Sequence, residues 1–264
     1  MAIDVDGERF AWREAGRGDL VVLLHGLGGS RISWEPQLAG LSSHHRVAAW
    51  DLPGYGASAP LLDDPVTFAA LAQAAADWIA VLDGGRAHVV GISMGAMVAQ
   101  YLAAWHPPCV RSLTLLSTSP AFGLDGTRPD EWVAVRLAPL ESGQQPAEFA
   151  DRVLRAIAGR HIDEAALDGQ RRAMARISGP ALQRSIECLV THDARALLPT
   201  IEAPTLVMVG ELDEETPPSY AQLLAEQMPH AWLQSVPNAG HLLNVEAPDA
   251  VNAAITRHLK HVEE

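Results

Sequence analysis

The residues with the clearest chemical potential surround Ser93, in the pattern Gly91-Ile-Ser93-Met-Gly95. The aliphatic and β-branched residues up to Val90 favour a buried strand, and the Ala-, Met- and Leu-rich residues from Met94 onward favour a helix. A strand that turns directly into a helix strains its central residue and leaves no room for a Cβ at the flanking glycines. In return it lifts the Ser93 hydroxyl clear of the sheet, at a helix N-terminus that favours negative charge.

This pattern predicts a nucleophilic serine, although a buried serine in a strand–helix turn would show the same five residues. A serine hydroxyl needs a base within hydrogen-bonding distance. Among the 11 histidines, we expect His241 to be that base, because its loop lies between a strand and the last helix. This places it at the carboxyl edge of a parallel sheet, the edge that carries Ser93. His25 shares the edge but belongs to a glycine-rich loop, where we expect a structural role.

The base in turn needs an anionic partner that fixes its tautomer. The strand that ends at Gly210 is followed by the acidic run Glu211-Leu-Asp213-Glu214-Glu215. Asp213 is the expected partner and Glu211 the alternative, and the remaining acids are expected to form a solvated helix N-terminus.

Two backbone N–H groups are needed to stabilise an oxyanion. Met94, which follows the serine, is expected to supply one, and Leu27 of the loop His25-Gly-Leu-Gly28 the other. A nucleotide-binding turn is the alternative for this loop, but the G-x-G-x-x-G spacing and a P-loop lysine are missing. No metal is expected, because no histidines are paired with an acid at ligand spacing.

Strands and helices alternate along most of the chain, which predicts a mostly parallel sheet of roughly eight strands flanked by helices. Residues 2–15 are predicted to form two short strands at its edge. Residues 120–198 break the rhythm and contain only predicted helices, at 131–137, 147–158, 162–178 and 181–192. We interpret 120–198 as a helical cap inserted into an α/β core of residues 1–119 and 199–264, rather than as a helical domain packed for stability.

The composition describes an ordinary globular protein, with 48% hydrophobic and 19% charged residues. The formal net charge of −13 argues against nucleic acid or an anionic membrane as a partner. No segment predicts a membrane span or a signal peptide, and the two cysteines show no disulfide spacing, so a cytoplasmic protein is expected. A small-molecule substrate is the expected partner, and the sequence predicts no particular oligomeric state.

Five segments together resemble the α/β-hydrolase superfamily: His25-Gly-Leu-Gly28, Asp51-Leu-Pro-Gly-Tyr-Gly56, Gly91-Ile-Ser-Met-Gly95, Gly210-Glu-Leu-Asp213 and Gly240-His241. Within it, the chain looks most like 3-oxoadipate enol-lactonases and related small serine carboxylesterases, through Gly240-His-Leu-Leu-Asn-Val-Glu-Ala-Pro248 and Trp34. The resemblance implies a cofactor-free acyl transfer in which Ser93, Asp213 and His241 act as a catalytic triad, in the chain order of this fold.

Three other functions remain open from the sequence. Cofactor-free haloperoxidase-like esterases resemble this chain in sharing the catalytic triad. The C–C bond hydrolases of aromatic degradation resemble this chain but usually carry Trp after the catalytic histidine, where this chain has Leu242. Hormone receptors of the same fold keep the triad and act by binding a partner. Haloalkane dehalogenases and epoxide hydrolases are disfavoured, because they carry an aspartate where this chain has Ser93.

The first helix of the predicted cap carries Trp132 and Arg136, four residues apart and therefore on one face. An aromatic wall beside a guanidinium suits a small substrate with a carboxylate, as the resemblance to enol-lactonases suggests. An ordinary amphipathic helix, with Trp132 packed on the core and Arg136 solvated, is the alternative.

Overall fold

The strands form one eight-stranded sheet in the computed structural model, which describes residues 1–82, 85–160 and 162–264. They are β1 Ile3–Asp6, β2 Ala11–Ala15, β3 Leu20–Leu24, β4 Arg46–Trp50, β5 Ala87–Ile92, β6 Val110–Leu116, β7 Thr205–Gly210 and β8 Ala231–Val236. Their order is β1-β2-β4-β3-β5-β6-β7-β8. β2 runs antiparallel to both of its neighbours, β1 and β4, and every other neighbouring pair is parallel. The mostly parallel sheet with a two-stranded edge, predicted from the βα rhythm, is confirmed.

Helices cover both faces of this sheet. They are α1 Glu35–Leu41, α2 Phe68–Val81, α3 Met94–Trp105, α4 Pro129–Glu141, α5 Pro146–Ile157, α6 Glu164–Met174, α7 Gly179–Leu189, α8 Pro218–Gln227, α9 Leu243–Glu246 and α10 Pro248–Glu263. The sequence also predicts that residues 83–85 end α2. Residues 83 and 84 lie outside the described residues. No helix in the described part of the chain is long and apolar enough to cross a bilayer.

The alternation of side chains along β3 explains why the sheet needs helices on both faces. Every residue of β3 is buried, and successive residues belong to different hydrophobic clusters. Val22 and Leu24 pack with residues of α2 and α3, whereas Val21 and Leu23 pack with residues of α1 and α10. Because a strand points successive side chains to opposite faces, a continuous aliphatic run must be covered on both sides.

The strand order reverses between β3 and β5, because β4 lies on one side of β3 and β5 on the other. In open α/β sheets, the crevice outside the carboxyl ends of the strands at such a reversal is the usual binding site. The loop that follows β3 begins at His25, and the turn that follows β5 contains Ser93. The fold therefore brings both predicted elements to this crevice.

Among the described residues between β6 and β7 there are four α-helices, α4–α7, one for each helix predicted there. Backbone bonds close this segment at its base, from Phe122 N to His192 O and from Ala194 N to Pro120 O, both 2.8 Å. Its buried apolar residues, such as Leu154 and Ile186, join the same hydrophobic cluster as α3. The segment is called the helical insertion below. Domain boundaries at 119/120 and 198/199 stay a prediction.

The close packing at the β5–α3 turn makes a stability prediction. A Cβ at Gly95 would collide with the carbonyl oxygens of Leu24 and His25, which belong to backbone that has no room to move. We expect Gly95→Ala to lower the free energy of unfolding by about 1–3 kcal/mol, measured by denaturant titration. The matched control is Gly169→Ala within α6, where the nearest atom to an added Cβ is Arg172 Nη2 at 4.0 Å. That change should be neutral or stabilising by up to about 1 kcal/mol. Equal stability of the two variants would contradict the packing described here.

Candidate active site

Ser93 occupies a strained turn between β5 and α3. Its backbone has φ 52° and ψ −123°, and positive φ is uncommon for a residue with a Cβ. The turn is held by Ser93 N, which donates to Leu116 O at 3.0 Å on the neighbouring strand. A Cβ at Gly91 would lie 2.6 Å from Ala96 N, so the predicted clash at both glycines is confirmed. Such strain persists only where the surrounding packing enforces it.

The structure brings Ser93, His241 and Asp213 into one hydrogen-bonded chain. His241 Nε2 lies 3.0 Å from Ser93 Oγ, and His241 Nδ1 lies 3.0 Å from each carboxylate oxygen of Asp213. The three residues follow β5, β8 and β7, whose carboxyl ends lie at one edge of the sheet. The alternative acid, Glu211, is exposed and makes no such contact.

Asp213 is buried and its carboxylate is held by several donors besides His241. Thr216 donates its amide at 2.9 Å and its hydroxyl at 3.0 Å, and the Glu215 amide donates at 3.1 Å. Burial raises the pKa of Asp213, but the charge and hydrogen bond of His241, together with Thr216, lower it below the ordinary value overall. Asp213 is therefore an anion at neutral pH, and it accepts every one of these bonds.

The pKa of His241 depends on its acidic neighbours. Burial lowers the pKa of the imidazole, but the charge and hydrogen bond of Asp213, with the charges of Glu215 and Glu246, raise it above the ordinary value overall. With Nδ1–H donated to Asp213, the lone pair of Nε2 faces the Ser93 hydroxyl. Neutral His241 can thus accept the hydroxyl proton, and the resulting imidazolium is stabilised by Asp213.

The glycine-rich loop after β3 lies directly against Ser93. A side chain at Gly26 would approach Ser93 Cβ to 3.0 Å, so only glycine fits without a shift. The N–H groups of Leu27 and Met94, both predicted to bind an oxyanion, donate no hydrogen bond to any described residue. Met94 is the first residue of α3, where a helix leaves its amides without an internal partner. The binding of an oxyanion by these two amides stays a prediction.

His25 anchors this loop and does not contact Ser93. Its Nε2 accepts the Leu52 amide at 2.9 Å, and its Nδ1 lies 2.9 Å from Gly26 O. Its ring stacks on Tyr55, with centroids 5.4 Å apart. Burial lowers the pKa of His25, so the ring is neutral and can donate from Nδ1 while it accepts at Nε2. This is the structural role expected from the sequence.

Ser93 and His241 open into a cavity of about 710 Å³ between the sheet edge and the helical insertion. Most of its lining is apolar and comes from the insertion, including Phe149, Leu154 and Leu182. Cavities of this size and character are typical of small-molecule sites. The cavity and the hydrogen-bonded chain of three residues are called the candidate active site below.

Trp132 and Arg136 both line this cavity, and the Arg136 guanidinium carbon lies 4.0 Å from the centre of the Trp132 ring. The shared face predicted from their spacing is therefore present. The sequence does not predict the partner of Arg136, which is Glu215 at 2.9 Å. Glu215, expected to be solvated at a helix N-terminus, instead joins α4 to the loop after β7.

Glu246 is a further residue of the site that the sequence analysis missed. Its Oε2 accepts the amides of Gly240 at 2.9 Å and Gly159 at 2.7 Å, and its Oε1 accepts the Leu242 amide at 2.9 Å. One carboxylate thus fixes the backbone on both sides of His241 and ties it to the residues after α5. The signal in the sequence is an acid five residues after the histidine.

Among the described residues, one group has the arrangement of metal ligands: Asp19, His88 and Glu263, at the opposite edge of the sheet from Ser93. Arg111 Nη1 lies 2.6 Å from Asp19 Oδ2, so one carboxylate of this group already has a cationic partner. The absence of a metal, expected from residue spacing, stays a prediction.

Known proteins resemble this chain over nearly its whole length. The model of the alpha/beta hydrolase family matches residues 21–254. A pimeloyl-[acyl-carrier protein] methyl ester esterase of Chromobacterium violaceum is 34% identical over 93% of this chain and 96% of its own length. The enol-lactonase of Burkholderia xenovorans LB400 has a TM-score of 0.84, with 25% identity over 98% of this chain and 100% of that one. A hydrolase of Pseudomonas aeruginosa also has a TM-score of 0.84, with 29% identity over 98% of both chains.

The chain belongs to the alpha/beta hydrolase family. The fold expected from the resemblance is confirmed by the sheet and by these structural neighbours. The relatives named above are hydrolases, which supports hydrolase activity in general for this chain.

The contacts of His241 make a prediction about its titration. Because the negative charges of Asp213 and Glu246 raise the pKa of His241, Glu246→Gln should lower that pKa, and Asp213→Asn should lower it further. Neutral His241 would then persist to lower pH. NMR titration of the histidine ring signals measures this directly. Glu226→Gln, the same change at an exposed carboxylate on α8, is the control and should leave the pKa unchanged. An unchanged or higher pKa in Glu246→Gln would refute the role given to this carboxylate.

Proposed function

We propose that this protein is a cofactor-independent serine hydrolase that cleaves a small carboxylic ester or (enol-)lactone through an acyl-enzyme on Ser93. The observation that carries the proposal is the chain Ser93–His241–Asp213, with contacts of 3.0 Å, at the floor of a largely apolar cavity. A serine so placed beside a neutral, anion-backed imidazole is a competent nucleophile.

In the first half of the proposed reaction, Ser93 Oγ attacks the carbonyl carbon of the ester while its proton passes to His241 Nε2. The carbonyl oxygen takes the negative charge and accepts hydrogen bonds from the Leu27 and Met94 amides. When the tetrahedral intermediate collapses, the bond to the leaving oxygen breaks and His241 returns the proton to that oxygen. The alcohol departs, and the acyl group stays on Ser93 as an ester.

In the second half, water enters the site of the departed alcohol. His241 Nε2 removes a proton from the water, whose oxygen attacks the acyl carbon through a second tetrahedral intermediate. The bond to Ser93 Oγ breaks, the proton returns to Ser93, and the carboxylic acid leaves. Asp213 remains an anion throughout and stabilises the imidazolium that forms twice in each turnover.

The comparisons support the ester and lactone class, since the named relatives include a methyl ester esterase and an enol-lactonase. The apolar lining supports a substrate with a hydrocarbon part. We further propose that Trp132 and Arg136 form one wall of the substrate site. Because Glu215 balances the charge of Arg136, this wall presents an aromatic surface and a neutral ion pair.

Substrate profiling tests the class of reaction. Purified protein should turn over p-nitrophenyl esters or enol-lactones many times per active site. Preferential cleavage of vinylogous diketones would instead identify a C–C bond hydrolase. A single stoichiometric turnover would indicate the receptor mode of action found on this fold.

A substitution at the nucleophile tests the mechanism. Ser93→Ala should lower kcat on the best ester by a factor of about 10³ or more, because the members of a catalytic triad act as a unit. The control is Ser219→Ala, an exposed serine on α8, which should keep wild-type kcat. Unchanged near-UV circular dichroism would show that both variants are folded. Retention of more than about a tenth of the activity in Ser93→Ala would rule out the acyl-enzyme route.

A further inference from the structure

The charged side chains that line the cavity do not balance. They are Arg136, Arg152 and Glu215. Arg136 donates to both oxygens of Glu215, at 3.2 and 2.9 Å, so these two charges cancel. Arg152 contributes one uncompensated positive charge to the cavity of a protein whose formal net charge is −13.

Arg152 differs from the other arginines on the helices α4–α7 of the insertion. Arg155 and Arg171 share Asp151 and Glu164 on the outer surface, with contacts of 2.6–3.0 Å. The remaining arginines of α6 and α7 have partners as well: Arg172 pairs with Asp168, and Arg184 bonds to the carbonyl oxygens of Leu61 and Asp63. Within residues 1–82, 85–160 and 162–264, Arg152 makes no hydrogen bond or ion pair, although it is one turn away from well-paired neighbours.

The position of Arg152 relates it to Ser93 through α5. The last residue of that helix, Ile157, accepts the His241 amide at 3.0 Å, so the C-terminal end of α5 touches the catalytic loop. Arg152 lies five residues earlier, which is about 7.5 Å along the helix axis. Helical side chains point back toward the N-terminus, so its guanidinium lies still farther from His241. Between the two ends, α5 presents Val153, Leu154 and Ala156 to the cavity.

We propose that Arg152 binds a carboxylate at the end of the substrate remote from the bond that Ser93 attacks. The preferred substrates are then esters or lactones in which an apolar chain separates the scissile carbonyl from a free carboxylate. This inference rests on the proposed function and names the substrate class of that same site. A planar guanidinium matches a carboxylate with two parallel hydrogen bonds, and an unpaired one keeps all its donors for the ligand.

Arg152 meets this requirement better than Arg136. Arg136 Nη2 already donates to both oxygens of Glu215, whose negative charge would repel a substrate carboxylate at Arg136. At Arg152 no protein carboxylate competes. The aliphatic residues between Arg152 and the catalytic end would contact the hydrocarbon chain, and Arg152 would hold its charged end at the exposed rim of the cavity.

The test uses substrates that differ only in the remote charge. Mono-p-nitrophenyl esters of adipic, suberic and sebacic acid carry the free carboxylate, and p-nitrophenyl hexanoate, octanoate and decanoate are their neutral counterparts. The wild type should show a lower KM for the charged member of at least one pair. Arg152→Ala should raise KM for that charged ester by about tenfold or more and leave kcat and the neutral ester within about twofold. Arg152→Lys should have a KM for the charged ester between those of the wild type and Arg152→Ala, because lysine keeps the charge but cannot donate two parallel hydrogen bonds.

Arg160→Ala is the matched control. It removes an exposed arginine just beyond α5 and outside the cavity lining, which makes no ion pair with any residue that the structure describes. It should leave both substrate types unchanged, which separates a local contact from a change in net charge. Higher salt should reduce the difference in KM between the charged and the neutral esters in the wild type, since salt screens exposed charges. Equal effects of Arg152→Ala on both substrate types, or no effect on either, would overturn the proposal.

A binding measurement separates this proposal from the proposed function. Calorimetry with the free diacids should show binding to the wild type that weakens about tenfold or more in Arg152→Ala. If the wild type cleaves neither an ester of the series nor an enol-lactone, the proposed function fails, and diacid binding still decides the role of Arg152. If diacids bind equally to both proteins, the role of Arg152 fails while ester cleavage stands.

Discussion

The left-handed backbone of Ser93 is the constraint on which the rest of the site depends. It exists because β5 turns into α3 with no intervening loop, and because Gly91 and Gly95 allow the backbone of neighbouring segments to approach. The glycine-rich loop after β3 packs against this turn, where a Cβ at Gly26 would lie 3.0 Å from Ser93 Cβ. The strained backbone of Ser93 is therefore held in place by the packing of three adjacent strands, β3, β5 and β6.

A second layer of contacts holds His241 and Asp213, the two residues that are hydrogen-bonded in series to Ser93. Thr216 and the Glu215 amide hold Asp213, and Glu246 holds the backbone on both sides of His241. None of these groups touches Ser93. They matter because the distance between a base and its proton donor must be kept to a fraction of an ångström for efficient transfer.

The sequence predicted those parts of the molecule that depend on local pattern. The alternation of aliphatic runs and helices gave the sheet, and the chain order Ser93, Asp213, His241 gave the three residues that the structure joins. The sequence left Glu211 as an alternative to Asp213. The two carboxylates are only two residues apart, and the conformation of the folded loop decides which of them faces His241. The Arg136–Glu215 pair joins residues 79 positions apart, and the unpaired state of Arg152 depends on where every acid of the insertion lies. No local pattern encodes either.

The bond from the His241 amide to Ile157 O has a consequence for how new substrate preferences arise in this scaffold. It makes α5 part of the frame that holds the base, whereas Arg136 of α4 contacts the loop after β7 through its ion pair with Glu215. A backbone shift of α5 would act on His241 directly, whereas an exchange of Arg136 on α4 would act on it through the charge of Glu215. Divergence among natural relatives, and selection in the laboratory, should therefore accumulate on α4 before it displaces α5.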